Sequence, residues 1–130
     1  MYPDVCRSPK RTTMAHLSTH VLDTAHGCPA AGMKVTLQRE QGAVFDTLKS
    51  LTLNADGRAD TALLDAAAMA VGRYRLVFEV APYFRARGVV LPEPAFIDTV
   101  QLDFGIADAA GDYHVPLLVS PFSYSTYRGS

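Results

Sequence analysis

The sequence is poor in cysteine, has almost no excess of charge and contains no long apolar run, and each shortage excludes a class of protein. Its 130 residues include two cysteines, Cys6 and Cys28, and neither has a partner at metal-ligand spacing. We therefore expect two free thiols in a reducing compartment. The net charge of −1 gives no electrostatic basis for binding nucleic acid or an anionic membrane. No apolar run approaches the roughly 20 residues of a membrane span.

The beginning of the chain carries no recognisable targeting signal. Residues 1–13 are polar and basic and contain two prolines. They lack the apolar stretch of roughly 7–15 residues that a secretory signal needs. We predict a disordered extension over residues 1–13, with Met14 as an alternative start, and a single domain over residues 14–130. A cytoplasmic location is the default expectation.

Apolar and polar residues alternate along most of the chain, which is the pattern of half-buried β-strands. Glycine- and proline-containing turns separate the alternating runs, so we predict an all-β antiparallel sandwich. Pro82 followed by Gly88 is typical of the start and end of one short helix, predicted over residues 82–88. Strands are predicted at residues 17–23, 33–39, 43–53, 58–61, 73–81, 96–105, 112–119 and 121–128.

The alternation also predicts which side chains leave the core. If Leu17 and Tyr113 face inward, then His20 and His114 face outward on their strands. Their outward neighbours are apolar, and exposed apolar surface beside a histidine indicates a subunit interface. These outward neighbours are Leu22, Pro116 and Leu118.

The two outward histidines are candidates for proton transfer, because imidazole titrates near neutral pH. On composition alone, two surface histidines without a role are the favoured interpretation. His16 and His20 stand four residues apart, which is metal-ligand spacing on a helix. On a strand the same spacing covers roughly 13 Å, too far for one ion. We therefore predict no metal site, and no Gly-x-Ser-x-Gly elbow indicates a serine hydrolase.

Three separated segments resemble the transthyretin-like 5-hydroxyisourate hydrolases, and the resemblance covers residues 15–130. The first is residues 17–30, with HVLD followed by GCPA. The second is Arg58 directly after the Asp56–Gly57 turn. The third is residues 113–130, which end in the tetrapeptide YRGS. The resemblance implies a transthyretin-like sandwich of two four-stranded sheets with one short helix.

The same resemblance implies an activity and a set of site residues. Enzymes of this family use water to convert 5-hydroxyisourate to 2-oxo-4-hydroxy-4-carboxy-5-ureidoimidazoline in urate degradation, without a cofactor. The resemblance implies that the small-molecule site lies at the interface of a homotetramer. Catalytic roles fall on His20, His114, Arg58 and Ser130, and substrate binding on His20, Arg58, Tyr127, Arg128 and Gly129.

Two other functions stay open at this point. Transthyretin shares the fold and carries a small ligand without catalysis, and a sandwich with a purely structural role would need no site at all. His114 and the final YRGS match the hydrolases rather than the carrier, so hydrolysis is the favoured hypothesis. Which histidine acts as the base is not decided by the sequence.

Overall fold

The computed structural model describes residues 15–129, which form eight β-strands and one short helix. The predicted extension over residues 1–13, Cys6 and Ser130 lie outside the described residues. In chain order the elements are β1 (His16–Asp23), β2 (Cys28–Pro29), β3 (Lys34–Gln41), β4 (Val44–Thr52), β5 (Gly72–Glu79), α1 (Val80–Ala86), β6 (Thr99–Ile106), β7 (Asp112–Val119) and β8 (Tyr124–Thr126).

The strands form two four-stranded sheets, in the orders β2-β1-β7-β8 and β4-β3-β5-β6. The predicted fold class, an all-β sandwich with one short helix, is confirmed. Neighbouring strands run antiparallel, with one exception: β1 and β7 are parallel. A parallel pair requires a long crossover, and here the whole second sheet lies between the two strands in the chain.

The predicted faces of β1 and β7 are confirmed, with one exception. Leu17 and Val21 of β1 are fully buried in the core, while His20 and His114 are half-buried on the opposite face. Leu22 and Leu118 are also half-buried, but Pro116, predicted to face outward, is buried. It lies between His20 on β1 and β8, and the Thr126 hydroxyl donates to its carbonyl at 2.6 Å.

Among the described residues one predicted strand is absent, one observed strand was not predicted, and β8 covers Tyr124–Thr126 rather than residues 121–128. Residues 58–61 were predicted to form a strand, but Arg58 makes only an isolated bridge to His20. Cys28–Pro29 belongs to residues 25–29, one of the glycine- and proline-containing segments predicted as turns, but it forms a two-residue strand beside β1. In both places the pairing partner is β1. Alternation of apolar and polar residues within a segment does not show which other strand the segment pairs with, so neither pairing could be predicted from it.

Helix α1 begins at Val80, two residues before the predicted start, and directly continues β5. The Asp98 carbonyl explains the early start, because it accepts the backbone N–H groups of Val80 and Ala81 at 3.1 and 2.9 Å. Unpaired N–H groups at the first turn of a helix need such an acceptor. Gly88 follows the helix with φ +87°, a conformation that glycine adopts without strain.

A buried carboxylate ties α1 to the end of β1. The fully buried Asp23 accepts hydrogen bonds from the Tyr83 hydroxyl at 2.8 Å, and from the His26 backbone N–H and Nδ1 at 2.9 and 2.6 Å. Burial raises the pKa of Asp23, but these hydrogen bonds outweigh it and hold the pKa below 3.8. Burial and the bond to Asp23 raise the pKa of Tyr83 to about 12. The carboxylate therefore stays ionised inside the fold and fixes this end of β1.

Candidate active site

The parallel pairing of β1 and β7 places the two histidines on one sheet face. The register pairs Ser18 with His114 and His20 with Pro116. His20 and His114 are therefore on adjacent strands, two positions apart, and both point away from the core. Residues that are nearly a hundred positions apart in the chain thus share one small surface.

The turn after β4 brings Arg58 to this surface. Arg58 forms a bridge with His20, and the Val21 N–H donates to the Gly57 carbonyl at 2.9 Å. Gly57 has φ +73°, and a Cβ on it would lie 2.6 Å from the Val21 carbonyl oxygen. The Asn54 side-chain oxygen completes the turn by accepting the N–H groups of Asp56 and Arg58 at 2.8 and 3.2 Å. Only glycine permits this close approach of the turn to β1.

The final residues close the opposite side of the surface. The Gly129 N–H donates to the His114 carbonyl at 2.9 Å. A Cβ on Gly129 would lie 2.6 Å from Cδ2 of the His114 ring. Gly129 does not have a positive φ, so glycine is required here for close approach to the ring rather than for a backbone turn.

Tyr127 and Arg128 of the final tetrapeptide lie in different surroundings. Tyr127 is 61% exposed and directly follows β8, the strand that pairs with β7. The Arg128 guanidinium lies 4.2 Å from the centre of the Tyr113 ring and donates to the Asp112 carbonyl at 3.1 Å. Because Tyr113 faces the core, Arg128 packs away from His114. Its predicted contact with substrate stays a prediction, as does the role of Ser130, which lies outside the described residues.

Burial and positive charge keep both histidines neutral. Burial, then the Arg58 charge, lower the pKa of His20 below 6.5, against a smaller opposing effect of the Asp56 backbone and carboxylate. Burial, then Arg58, His20 and His16, lower the pKa of His114 below 6.5. A neutral imidazole carries one N–H donor and one lone pair. At neutral pH the site therefore holds two groups that can each accept a proton and donate a hydrogen bond.

One residue at this surface received no role from the sequence. The Ser18 hydroxyl lies 2.8 Å from Nδ1 of His114. Ser18 belongs to the same segment as His20, and alternation places both on one face. The signal was therefore present, but the parallel register that brings Ser18 opposite His114 could not be read from the sequence.

Two further findings concern what residues 15–129 contain. Within this range no group of three or more histidine, cysteine, aspartate or glutamate side chains is arranged to hold a metal ion. No helix in the same range is long and apolar enough to cross a membrane. Cys28 is a free thiol, as predicted.

Comparisons with known proteins identify relatives of the whole domain. The HIUase/Transthyretin family matches residues 17–129. A protein of Pseudomonas aeruginosa named 5-hydroxyisourate hydrolase is 55% identical over 117 residues, which are 90% of this chain and 93% of that protein.

Solved structures agree with this result. The structure of Klebsiella pneumoniae 5-hydroxyisourate hydrolase matches 90% of this chain and 100% of that one, with a TM-score of 0.74 and 38% identity. A crystal structure of (S)-allantoin synthase matches with a TM-score of 0.84 and 40% identity, and covers 91% of this chain but 44% of that one.

Sea bream transthyretin in complex with thyroxine matches 88% of this chain and 95% of that one, with a TM-score of 0.78 and 24% identity, a likeness of fold alone. A family match over nearly the whole described domain, together with a relative that is 55% identical, is decisive. The chain belongs to the HIUase/transthyretin family.

Proposed function

We propose that this protein hydrolyses 5-hydroxyisourate to 2-oxo-4-hydroxy-4-carboxy-5-ureidoimidazoline. The observation that carries the proposal is the convergence of two neutral histidines and one arginine on a single sheet face. This set supplies proton transfer and charge stabilisation, which are what hydrolysis of an activated ring amide requires. The name and identity of the Pseudomonas aeruginosa relative support the same activity.

The reaction adds water across one C–N bond of the six-membered ring. A neutral imidazole takes a proton from water while the water oxygen bonds to the ring carbonyl carbon. The Arg58 guanidinium, with its planar set of donors, stabilises the negative charge that develops on the carbonyl oxygen. The C–N bond then breaks, and the proton passes to the leaving nitrogen. The carbon ends as a carboxylic acid, which releases its proton to solvent and becomes the carboxylate of the product. The nitrogen ends in the ureido group, so atoms and charge balance.

Residues of the final tetrapeptide complete the site in this proposal. The exposed Tyr127 ring offers a stacking face and a hydroxyl to the flat substrate. Gly129 has no side chain, so the end of the described chain can lie directly against the His114 ring. Ser130 contributes a hydroxyl group. No step requires a metal or an organic cofactor.

The carrier alternative has less support. The likeness to transthyretin is one of fold, at 24% identity, whereas the hydrolase from Pseudomonas aeruginosa is 55% identical. A carrier also has no use for two histidines held neutral beside an arginine.

We further propose that the protein is a cytoplasmic homotetramer. Phe96 and Phe122 are 76% and 63% exposed, and their ring centres are 6.5 Å apart. They lie near β6 and β8, the strands at one end of each sheet, where unpaired backbone groups can join a second copy. The half-buried Leu22 and Leu118 flank the histidines and suit a second contact between dimers.

The assembly is tested by light scattering of the purified chain. We expect a species of four chain masses, and we expect Phe122→Asp to shift it to smaller species because the charge is placed in the proposed contact. Val90→Asp is the matched control, since Val90 is also exposed, at 95%, but lies outside the aromatic pair. A fully active monomer at low micromolar concentration would contradict the proposal.

The histidine roles are tested by His20→Asn and His114→Asn. Each should lower turnover by about 100-fold or more, the usual contribution of a general acid or base. Urate oxidase generates the substrate in place, and its absorbance decay is followed with and without the protein. His26→Ala is the control, because it removes a side-chain hydrogen bond to Asp23 away from the site; it should lower the melting temperature and leave turnover unchanged. Wild-type decay rates in both site variants would refute the mechanism.

The role of Arg58 is tested with two substitutions that separate charge from geometry. Arg58→Lys keeps the charge but loses the planar fork, so kcat/KM should fall by at least about tenfold at all pH values. Arg58→Gln also removes the charge that lowers the pKa of both histidines.

The wild-type kcat/KM should be constant near neutral pH and decline only below pH 6.5, where the histidines gain protons. In Arg58→Gln this decline should begin at a higher pH, and in Arg58→Lys it should not move. An identical pH profile for the Gln variant would show that Arg58 does not act on the histidines.

The close approach of Gly129 to His114 gives a separate prediction. Gly129→Ala places a methyl group 2.6 Å from Cδ2 of the His114 ring, so the ring must move. Because misplacement of a catalytic group by roughly 1 Å can cost about 100-fold in rate, turnover should fall at least about tenfold. Gly105→Ala is the control, because nothing lies within 4 Å of its added Cβ and its φ is not positive. Equal activity of the two variants would remove Gly129 from the site.

A further inference from the structure

The His114 ring is held on two sides, by Ser18 and by Gly129. Ser18 is its register partner on β1, and the Ser18 Oγ lies 2.8 Å from Nδ1 in a half-buried position. Gly129 packs against the Cβ and Cδ2 edge of the same ring. Nε2 makes no hydrogen bond with any residue of the 15–129 range. Of the two ring nitrogens of His114, Nε2 is therefore the one that can bond a bound molecule.

The direction of the Ser18–His114 bond follows from the acceptors within reach. A hydroxyl carries one hydrogen, and within residues 15–129 the Ser18 hydroxyl has no acceptor other than Nδ1. An unsatisfied donor in a partly buried place costs more than an unsatisfied acceptor lone pair. The arrangement with the lower free energy therefore has the Ser18 O–H donating to a lone pair on Nδ1.

A lone pair on Nδ1 decides where the single proton of a neutral imidazole lies. It must be on Nε2, the nitrogen that faces the site. We propose that Ser18 is a positioning residue that holds His114 as its Nε2–H tautomer, so that His114 donates a hydrogen bond to the substrate and His20 serves as the base. The proposal rests on the hydrolysis proposed above and divides the work between the two histidines.

This division agrees with the proton balance of the reaction. A neutral imidazole that loses its only N–H proton becomes an anion, which is unfavourable near neutral pH. His114 therefore keeps its proton and directs Nε2–H at the developing carbonyl oxyanion, beside Arg58. His20 takes the proton from water and returns it to the leaving nitrogen. A neutral histidine with a lowered pKa that acts as a hydrogen-bond donor is an established device in enzymes.

The charges around His114 favour the neutral ring that this role requires. Three positive or titratable groups face it from two elements: Arg58 from the turn after β4, and His20 and His16 from β1. His16 contacts Asp112 of β7, with Nδ1 3.2 Å from the carboxylate. The Arg128 guanidinium lies over Tyr113 on the other face of β7.

The tautomer can be observed directly in the full chain. Labelling histidine with ¹⁵N distinguishes protonated from unprotonated ring nitrogens by their chemical shifts, with no substrate present. In the wild type we expect the proton of His114 on Nε2. Ser18→Thr and Ser18→Val have nearly the same shape and differ in the hydroxyl, so Thr should retain the Nε2–H form and Val should give a mixture of tautomers.

Activity should follow the tautomer. We expect Ser18→Thr to stay within about threefold of wild-type kcat and Ser18→Val to lose at least about tenfold, because removal of one oxyanion donor costs on the order of 10²–10³-fold. Thr19→Val is the matched control on the same strand. It removes a core-side hydrogen bond to the Val115 carbonyl of 2.7 Å, so it should lower the melting temperature without changing the tautomer of His114.

Each result separates this inference from the function on which it rests. A proton on Nδ1 in the wild type, or an unchanged Nε2–H form in Ser18→Val, would overturn the role of Ser18 whether or not the protein hydrolyses 5-hydroxyisourate. A fixed Nε2–H tautomer in the wild type that Ser18→Val disrupts would support the positioning role. If the wild-type protein with this tautomer failed to hydrolyse 5-hydroxyisourate, only the proposed function would be refuted.

Discussion

The parallel pairing of β1 with β7 is the contact on which the site depends. Four groups at this surface are attached to one of these two strands or bridged to it: Ser18 and His20 belong to β1, His114 to β7, and Arg58 is bridged to β1. A shift of one residue in a strand turns all its side chains to the other face. The core therefore enforces the register of the site, because a shift would expose Leu17, which is fully buried.

Glycine supplies what strand pairing alone cannot. The sheet provides a row of side chains, but a cleft needs backbone brought in from outside the sheet. Gly57 and Gly129 allow such segments to lie against β1 and β7, and any larger residue would be 2.6 Å from a carbonyl oxygen or a ring carbon. Steric limits at two positions thus set the distance of Arg58 and of the final tetrapeptide from the histidines.

The lowered pKa values of the two histidines reduce the stability of the fold in mild acid. Half-buried histidines beside Arg58 have pKa values below 6.5 in the folded chain. Between those pKa values and 6.5 the folded state binds fewer protons than the unfolded state, so the free energy of unfolding falls as the pH drops through this window. Asp23 stays ionised down to lower pH because its pKa is held below 3.8. The same burial that tunes the histidines makes the fold sensitive to mild acid.

Alternation and turn residues in the sequence were enough to predict the all-β class, most strands, the short helix and the outward faces that carry His20 and His114. These features depend on residues that are neighbours in the chain. The tertiary structure alone decided that β1 and β7 are parallel, that Pro116 is buried, that Arg128 lies over Tyr113 and that Ser18 bonds His114. Each of these joins segments brought together only by packing of the two sheets, and Ser18 and His114 are 96 residues apart. Local pattern therefore determines which side chains leave the core, and long-range pairing determines which of them meet.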